Sequence, residues 1–214
     1  MIEGKNITKL FGKNGLKSTD ITVKKGEMAA LAGASGCGKS TLLNILTGML
    51  RPDSGSVFIK GTDISKLSEK ERTALRSGVI GYMMQKNALL PELTVWQNIL
   101  FPAYTAKKKP DKQKAEEIAE RLSLTSLLGS YPSQISGGEY RRAMLARVLV
   151  TEPEIIIADE PTSNLDRESA EIVRDMLKEV NSSGTTVLAA SHDPMLLESA
   201  DRVIDLGDRS SENV

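Results

Sequence analysis

The stretch "GASGCGKST" (Gly33–Thr41) constrains the fold of this chain more than any other. It matches the pattern G-x-x-x-x-G-K-[ST], with an apolar run, "MAALAG", before it and a helix-forming run, "KSTLLNILTGML", after it. A strand, a glycine-rich turn and a helix start, in that order, present backbone N–H groups to phosphate oxygens. The sequence therefore predicts a phosphate-binding loop, in which Lys39 reaches the terminal phosphates of a nucleotide and Ser40 ligates Mg2+. The residues predicted to contact the nucleotide here are Gly33, Ala34, Ser35, Gly36, Cys37, Gly38, Lys39, Ser40 and Thr41.

Beyond this loop, the chain alternates between apolar strands and helices. The later strand patterns lie at Val79–Gln85, Glu154–Glu160, Thr185–Ser191 and Asp201–Leu206. Because these runs are largely apolar and helical patterns separate them, we expect a mostly parallel sheet with helices on both faces. Short strands are also predicted before the loop, in "MIEGKNIT" and "STDITVKKGE". Ser68 and Glu71 have the spacing of a capping box, which predicts a helix start.

The segment from Asn87 to Ile135 has a different character. It contains no strand pattern, and prolines punctuate its helix-forming stretches. These prolines are Pro91, Pro102, Pro110 and Pro132. We interpret the segment as a helical insertion in the α/β core. The last residues, from Gly207 onward, are predicted to form a polar tail.

Composition excludes several classes of protein. The chain has 28 Lys and Arg residues and 28 Asp and Glu residues, so its formal net charge is zero. It therefore lacks the excess of positive charge that is typical of nucleic-acid-binding proteins, and we expect no nucleic-acid partner. A single cysteine cannot form an internal disulfide and fits a reducing compartment. The start "MIEGKNITKL" lacks the apolar core of a signal peptide, and no apolar run is long enough to cross a membrane. We expect a cytoplasmic protein.

Polar residues follow the apolar strands where ligands bind in open α/β sheets. "IIIADE" ends in Asp159, which can hold Mg2+, and in Glu160, which can face the attacking water as the catalytic base. The only histidine, His192, ends "AASHD" and is interpreted as a contact to the terminal phosphate or the catalytic water, although a lone histidine is often structural. Gln85 is predicted to touch Mg2+ and the water; read alone, it is an ordinary loop residue.

Two further residues each have a structural and a functional interpretation. Phe11, in "KLFGKNG", is either core filler or a stacking platform for adenine. Cys37 is more simply a small filler of the phosphate loop than a redox switch.

The stretch "ISGGEYRR" (Ile135–Arg142) is a second predicted anion-binding site, because it combines a hydroxyl, two glycines and a helix start. In the order of its motifs the chain resembles ATP-binding cassette (ABC) ATPases. These motifs are the phosphate loop, "MMQK", "ISGGE", "IIIADEPTSNLD" and "ASHD", and the resemblance covers nearly the whole chain. Within that family, "LLPELTVWQNILFP" resembles the bacterial lipoprotein-releasing and macrolide-exporter type. The resemblance implies an α/β fold: a P-loop NTPase core with a mostly parallel sheet, an N-terminal antiparallel β-subdomain and an α-helical subdomain at about 87–135, in one domain, 1–214.

The resemblance also implies an activity and partners. Two cassettes stack head to tail, and Ser136, Gly137 and Gly138 of one contact the ATP of the other, with Asp166 crossing the interface as well. The chain would bind and hydrolyse ATP with Mg2+ and power an integral membrane permease, which holds it on the inner face of the membrane. The alternative is a cassette that signals through membrane helices to cell-envelope enzymes.

Two details of the resemblance lead to further expectations. The usual signature is LSGGQ, and this chain has Glu139 in place of the glutamine; we expect Glu139 to accept from ribose hydroxyls rather than to face the phosphates. The apolar run "LLPELTVWQNILFPAY", with Trp96 and Phe101, is predicted to border the groove that receives a cytoplasmic helix of the permease.

Overall fold

The computed structural model describes residues 1–12, 14–85, 89–105 and 109–207. It contains two sheets. The first is antiparallel, in the order β2-β1-β4-β5, and consists of β1 (Ile2–Phe11), β2 (Asn14–Val23), β4 (Ser54–Ile59) and β5 (Thr62–Asp63). The predicted N-terminal antiparallel strands are thus confirmed, although β1 extends beyond its sequence pattern and β2 begins and ends four residues before its pattern does.

The second sheet is parallel throughout, in the order β6-β7-β8-β3-β9. Its strands are β3 (Met28–Ala32), β6 (Ile80–Met83), β7 (Ile155–Asp159), β8 (Thr186–Ala190) and β9 (Arg202–Asp205). Neighbouring residues of β7 face opposite sides, since Ile156 belongs to one hydrophobic cluster and Ile157 to the other. Both faces of the sheet are therefore buried, and the carboxyl ends of β6, β7, β8 and β3 meet at one edge.

Seven α-helices cover or extend these sheets in the described ranges. They are α1 (Lys39–Leu46), α2 (Glu69–Gly78), α3 (Val95–Thr105), α4 (Lys112–Arg121), α5 (Gly137–Leu149), α6 (Arg167–Ser182) and α7 (Pro194–Leu197). The predicted capping box starts α2, since Ser68 Oγ accepts from the Glu71 N–H and the Glu71 carboxylate accepts from the Ser68 N–H.

The predicted helical insertion contains α3, α4 and two short 3-10 turns, and its described residues include no strand. Its first residue, Asn87, lies outside the described ranges, as do Ala106–Lys108 and the predicted tail from 208 to 214. The prolines at 91, 110 and 132 lie outside the α-helices, but the expectation that Pro102 also interrupts a helix was wrong, because Pro102 lies inside α3. Burial of Val95 and Ile99 anchors α3 and outweighs the low helix propensity of proline.

A buried asparagine orders the loop that enters α3. The Asn98 side-chain amide donates to the carbonyls of Leu90, Leu93 and Thr94, and its Oδ1 accepts from the Leu90 N–H at 2.8 Å. A fully buried amide is tolerated because all of these bonds are made. The loop after the Gln85 segment is therefore held by the first turns of α3.

Candidate active site

The phosphate loop connects β3 to α1 through residues that need glycine. Gly38 is the N-cap of α1 with φ 107°, and Gly33 has φ 142°. A Cβ at Gly33 would lie 2.8 Å from Cys37 Sγ, so the half-buried Cys37 fills the space that this glycine leaves open. The contact agrees with the interpretation of Cys37 as a filler.

A cavity of about 270 Å3 opens where this loop meets the carboxyl edge of the parallel sheet. Its walls come from the loop and from the ends of β6, β7 and β8. The lining residues are Ser35, Gly36, Gly38, Lys39, Ser40, Thr41, Gln85, Asp159, Glu160 and His192. The predicted catalytic and metal-ligating residues, Glu160, His192, Gln85, Ser40 and Asp159, thus converge in one cavity although they come from four distant parts of the sequence.

Lys39 lies across the loop that it follows. Its ammonium donates to the Gly33 carbonyl at 2.7 Å and to His192 Nε2 at 2.8 Å. The side chain is largely buried, so the positive charge is held at the floor of the cavity by polar partners. An anion that enters the cavity meets this charge together with the N-terminus of α1.

Asp159 is the residue whose surroundings best fit a metal ion. Asp159 is 3% exposed, and its Oδ1 has no hydrogen-bond partner among the described residues. Burial raises the pKa of Asp159, while the Ser40 hydroxyl and the charges of Lys39 and Arg141 partly offset that rise. A buried, unpaired carboxylate oxygen beside a serine hydroxyl has the oxygen chemistry that Mg2+ prefers.

Glu160 turns sharply away from β7. It has φ 51°, which is unusual for a residue other than glycine, and its N–H donates to the Ala190 carbonyl at 2.9 Å. Its Oε1 lies 3.4 Å from His192 Nε2. Ser163 Oγ donates back to the Glu160 carbonyl at 3.0 Å. The turn therefore points the carboxylate into the cavity beside the imidazole.

Sequence reasoning missed one buried residue next to this site. The Arg141 guanidinium, on α5, donates to the Gln85 carbonyl at 2.7 Å and to Ser163 Oγ at 3.1 Å. Burial lowers the pKa of Arg141, and the negative charges of Asp159 and Glu160 oppose that shift. No local pattern marks this arginine, since its partners lie 56 and 22 positions away in the sequence.

The "ISGGE" stretch lies at the N-terminus of α5, and its residues are not among those that line the cavity. Ser136 is the N-cap, and its Oγ accepts from the Glu139 N–H at 3.3 Å while Glu139 Oε2 accepts from the Ser136 N–H at 2.7 Å. The bond from the Ser136 N–H lowers the pKa of Glu139. One carboxylate oxygen of Glu139 thus caps its own helix, a contact that sequence reasoning did not anticipate; the ribose contact stays a prediction.

Gly138 and Asp166 are neighbours at the starts of α5 and α6. A Cβ at Gly138 would lie 2.4 Å from Ser169 Oγ and 3.4 Å from Asp166 Oδ2, so any larger residue there would force Ser169 to move. Asp166 is the N-cap of α6 and accepts from the Ser169 N–H at 2.8 Å, which lowers the pKa of Asp166. Ser136, Gly137, Gly138 and Asp166 therefore share a surface separate from the cavity lining.

Phe11 lies at the end of β1 and is 56% exposed, which excludes a role as core filler. Asp53 holds this strand end, since it accepts from Lys9 Nζ at 2.6 Å and from the Leu10 N–H at 2.8 Å. An exposed aromatic ring on a fixed strand end is suited to stacking on a flat ligand.

Comparisons with known proteins agree with this geometry. A sequence model of the ABC transporter family matches residues 16–163. The chain belongs to the ABC transporter family. As an ABC ATPase it binds and hydrolyses ATP, and its two sheets match the predicted P-loop NTPase fold.

Relatives and solved structures match over most of the chain. The chain is 39% identical to a lipoprotein-releasing system ATP-binding protein, LolD 1, of Caulobacter vibrioides, covering 100% of this chain and 96% of that protein. It is 40% identical to the macrolide export ATP-binding/permease protein MacB of Bartonella henselae, covering 90% of this chain but only 30% of that longer protein. A structure described as a dimeric post-hydrolysis state of the ATP-binding cassette MJ0796, bound to ADP and Pi, superposes with a TM-score of 0.91 at 33% identity, covering 97% of this chain and 95% of that one.

Within the described ranges, none of the helices of this ABC ATPase has the length and apolar character needed to cross a bilayer.

Proposed function

We propose that this ABC ATPase uses Mg-ATP to power an export or extraction transporter of the lipoprotein-releasing and macrolide-exporter type. The convergence of the phosphate loop, Asp159, Glu160 and His192 in one cavity carries the proposal. The names of LolD 1 and MacB support a transporter of this type and disfavour the alternative of a cassette that signals to cell-envelope enzymes. The whole chain then acts as one nucleotide-binding domain, 1–214, with a helical subdomain at about 87–135.

Each cavity residue has a role in this reaction. The loop from Gly33 to Thr41 wraps the phosphates with its N–H groups, and Lys39 exchanges its present partners for the terminal phosphates. Ser40, Asp159 and Gln85 are positioned to hold Mg2+, which when bound neutralises the charge that develops on the phosphates. Glu160 accepts the proton of the attacking water, and His192 orients that water or the terminal phosphate. Phe11 stacks on the adenine.

The second anion-binding site, at the start of α5, binds the ATP of a second copy of the chain. Ser136, Gly137 and Gly138 lie outside the lining of the cavity whose phosphates Lys39 would bind. The dimeric state described for the MJ0796 cassette supports a head-to-tail pair, in which these residues and Asp166 reach the partner's ATP. Glu139 is then placed to accept from the partner's ribose with the carboxylate oxygen that does not cap α5.

A membrane permease would hold the protein on the cytoplasmic face of the membrane. A cavity of about 430 Å3 lies among α2, β6, α3 and α5. Pro102 of the "LLPELTVWQNILFPAY" stretch and Thr105, which follows that stretch, line it. Phe101 does not line this cavity; it contacts the lining residue Arg147, whose guanidinium lies 5.4 Å from the Phe101 ring centre. Trp96 is packed against the hydrophobic core instead. We place the docking site for a cytoplasmic helix of the permease in this groove.

Photo-crosslinking tests both the partner and the groove. A photoreactive residue is placed at Thr73 or Thr105, which line the groove, and a control is placed at the exposed Lys17 on β2. We expect the first two to crosslink a membrane protein that mass spectrometry identifies as a permease, and the control to give none. Crosslinks that arise from the N-terminal strands alone would refute the placement, and a soluble partner in every case would refute the transporter assignment.

A further inference from the structure

The start of α5 carries two side chains that hold the segment following β6. Arg141 Nη1 donates to the Gln85 carbonyl at 2.7 Å and to the Met84 carbonyl at 3.3 Å. The preceding residue, Tyr140, accepts from the Leu89 N–H through its hydroxyl at 3.1 Å. These two adjacent residues of α5 therefore bind the chain at Met84 and Gln85, just after β6 ends, and again at Leu89.

The same arginine reaches the turn that carries Glu160. Arg141 Nη2 donates to Ser163 Oγ at 3.1 Å, and that hydroxyl donates to the Glu160 carbonyl at 3.0 Å. A guanidinium is planar and presents several donors in a fixed geometry, so one side chain can bridge two loops. Arg141 joins the Gln85 strand end to the Glu160 turn in this way.

The environment of Arg141 is that of a structural anchor and not of a surface charge. The side chain is 8% exposed, and the negative charges of Asp159 and Glu160 act on it. A buried guanidinium is tolerated only where hydrogen bonds and opposite charges compensate its desolvation. Here the compensation comes from the two loops that form the cavity, so the position of α5 and the geometry of the cavity depend on each other.

We propose that Arg141 is a positioning residue that couples the N-terminal turn of α5 to Gln85 and Glu160 of the same chain. The inference rests on the proposed function, in which Ser136 and Gly138 at that turn bind the second copy's ATP while Gln85 and Glu160 act on the chain's own ATP. When α5 docks on the partner's nucleotide, Arg141 then positions Gln85 and Glu160 of its own chain.

Loss of this coupling has a kinetic signature. Arg141 does not line the cavity, and the residues proposed to bind nucleotide are untouched by its removal. The Arg141→Gln variant should therefore keep the ATP dissociation constant within about twofold, whereas kcat falls by about tenfold to a hundredfold, the range expected when reacting groups lose their alignment. Arg141→Lys should also be slow, because a shorter side chain with one nitrogen lacks the planar fork whose two separate nitrogens reach the two loops.

The matched control is Arg72→Gln. Arg72 is 5% exposed, donates to the Leu67 carbonyl at 3.0 Å and is not among the residues that line the cavity, so the variant removes a buried guanidinium outside that lining. We expect this variant to lose thermal stability without the drop in kcat. If Arg72→Gln and Arg141→Gln lose kcat in equal proportion, or if Arg141→Gln weakens ATP binding as much as turnover, Arg141 is merely structural and the proposal is wrong.

A double-mutant cycle tests the path itself. Ser163→Ala is a mild change that removes the Arg141 contact from the Glu160 turn. It should lower kcat alone but add less than about twofold to Arg141→Gln, since residues in one hydrogen-bond network show non-additive effects. Fully additive losses would contradict the coupling. Glu160→Gln is measured alongside: normal turnover there would contradict the proposed function, whereas a slow Glu160→Gln with a normal Arg141→Gln would contradict the coupling alone.

Discussion

Lys39 Nζ lies 2.8 Å from His192 Nε2, and the same imidazole nitrogen lies 3.4 Å from Glu160 Oε1. An ammonium group can only donate, so Lys39 is the donor in its contact with His192 Nε2. A single histidine thus contacts both the lysine expected to hold the terminal phosphates and the proposed base. This contact favours the functional interpretation of His192 over the structural one.

The first prediction concerns His192→Ala. Turnover should fall by about tenfold to a hundredfold, because the water and terminal phosphate lose an orienting group. ATP affinity should not fall, because Lys39 loses only a partner that competes with the phosphates. Steady-state hydrolysis and equilibrium ATP binding measure the two effects. His192→Gln keeps a side chain that can accept and should be less impaired. Normal turnover in His192→Ala would return the residue to a structural role.

The second prediction concerns Asp159→Asn. Burial raises the pKa of Asp159 in the folded chain, so the folded state holds this proton more tightly than the unfolded state. The stability contributed by this group is therefore greatest at acid pH and decreases as pH rises through the raised pKa. A neutral asparagine avoids the free-energy cost of burying a negative charge at this position. At neutral pH, without nucleotide or metal, Asp159→Asn should unfold at a higher temperature than the wild type.

The same variant should lose Mg-dependent hydrolysis, because the unpaired Oδ1 is the proposed metal-facing oxygen. Thermal unfolding at several pH values and ATPase assays over a range of Mg2+ concentrations check both parts. The stability gap between variant and wild type should narrow toward acid pH. A variant that is less stable at neutral pH, or that hydrolyses ATP with unchanged Mg2+ dependence, contradicts this account of Asp159.

The third prediction concerns Phe11. If its exposed ring stacks on adenine, Phe11→Ala should weaken ATP binding by about 1–3 kcal/mol, whereas Phe11→Tyr keeps the flat face and should bind nearly as well as the wild type. Binding of ATP and of a triphosphate without a base, measured by calorimetry, separates stacking from phosphate contacts. Equal weakening by both substitutions, or none by either, would mean that the ring does not stack.

Local patterns were enough to predict the parts of this protein that depend on neighbouring residues. The phosphate loop, the polar ends of β7 and β8 and the Ser68 capping box are short-range features, and their residues lie where the sequence placed them. The convergence of Gln85, Asp159 and His192 was also predictable, because the carboxyl ends of parallel strands share one edge.

Long-range packing could not be predicted in the same way. Arg141 and Gln85 are 56 positions apart, and nothing in "GGEYRR" indicates that its first arginine turns inward. Glu139 was interpreted only against an external ligand, although helix capping satisfies a backbone N–H within the chain. Pro102 was expected to interrupt a helix, and only the burial of its neighbours in α3 shows why the helix continues.

In the proposed reaction, Glu160 activates the water while the N-terminus of α5 of a second copy binds the same ATP. Glu160→Gln keeps the shape of the side chain but loses its basicity, and removal of a general base typically costs about 10²–10⁴ in rate. ATP binding through Lys39 and Ser40 is untouched, so ATP-bound dimers should accumulate. Adding Ser136→Arg places a bulky side chain at the start of α5. It should abolish the dimer while leaving the binding of ATP to a single chain largely intact.

The most direct measurement is size-exclusion chromatography with light scattering on Glu160→Gln, with and without Mg-ATP, alone and with the permease. We expect a monomer without nucleotide and a stable dimer with Mg-ATP that Ser136→Arg removes, whereas the wild type should show that dimer only fleetingly. A Glu160→Gln chain that binds ATP yet stays monomeric even with the permease would contradict the shared site, and near-normal hydrolysis by that variant would contradict the assignment of Glu160 as the base.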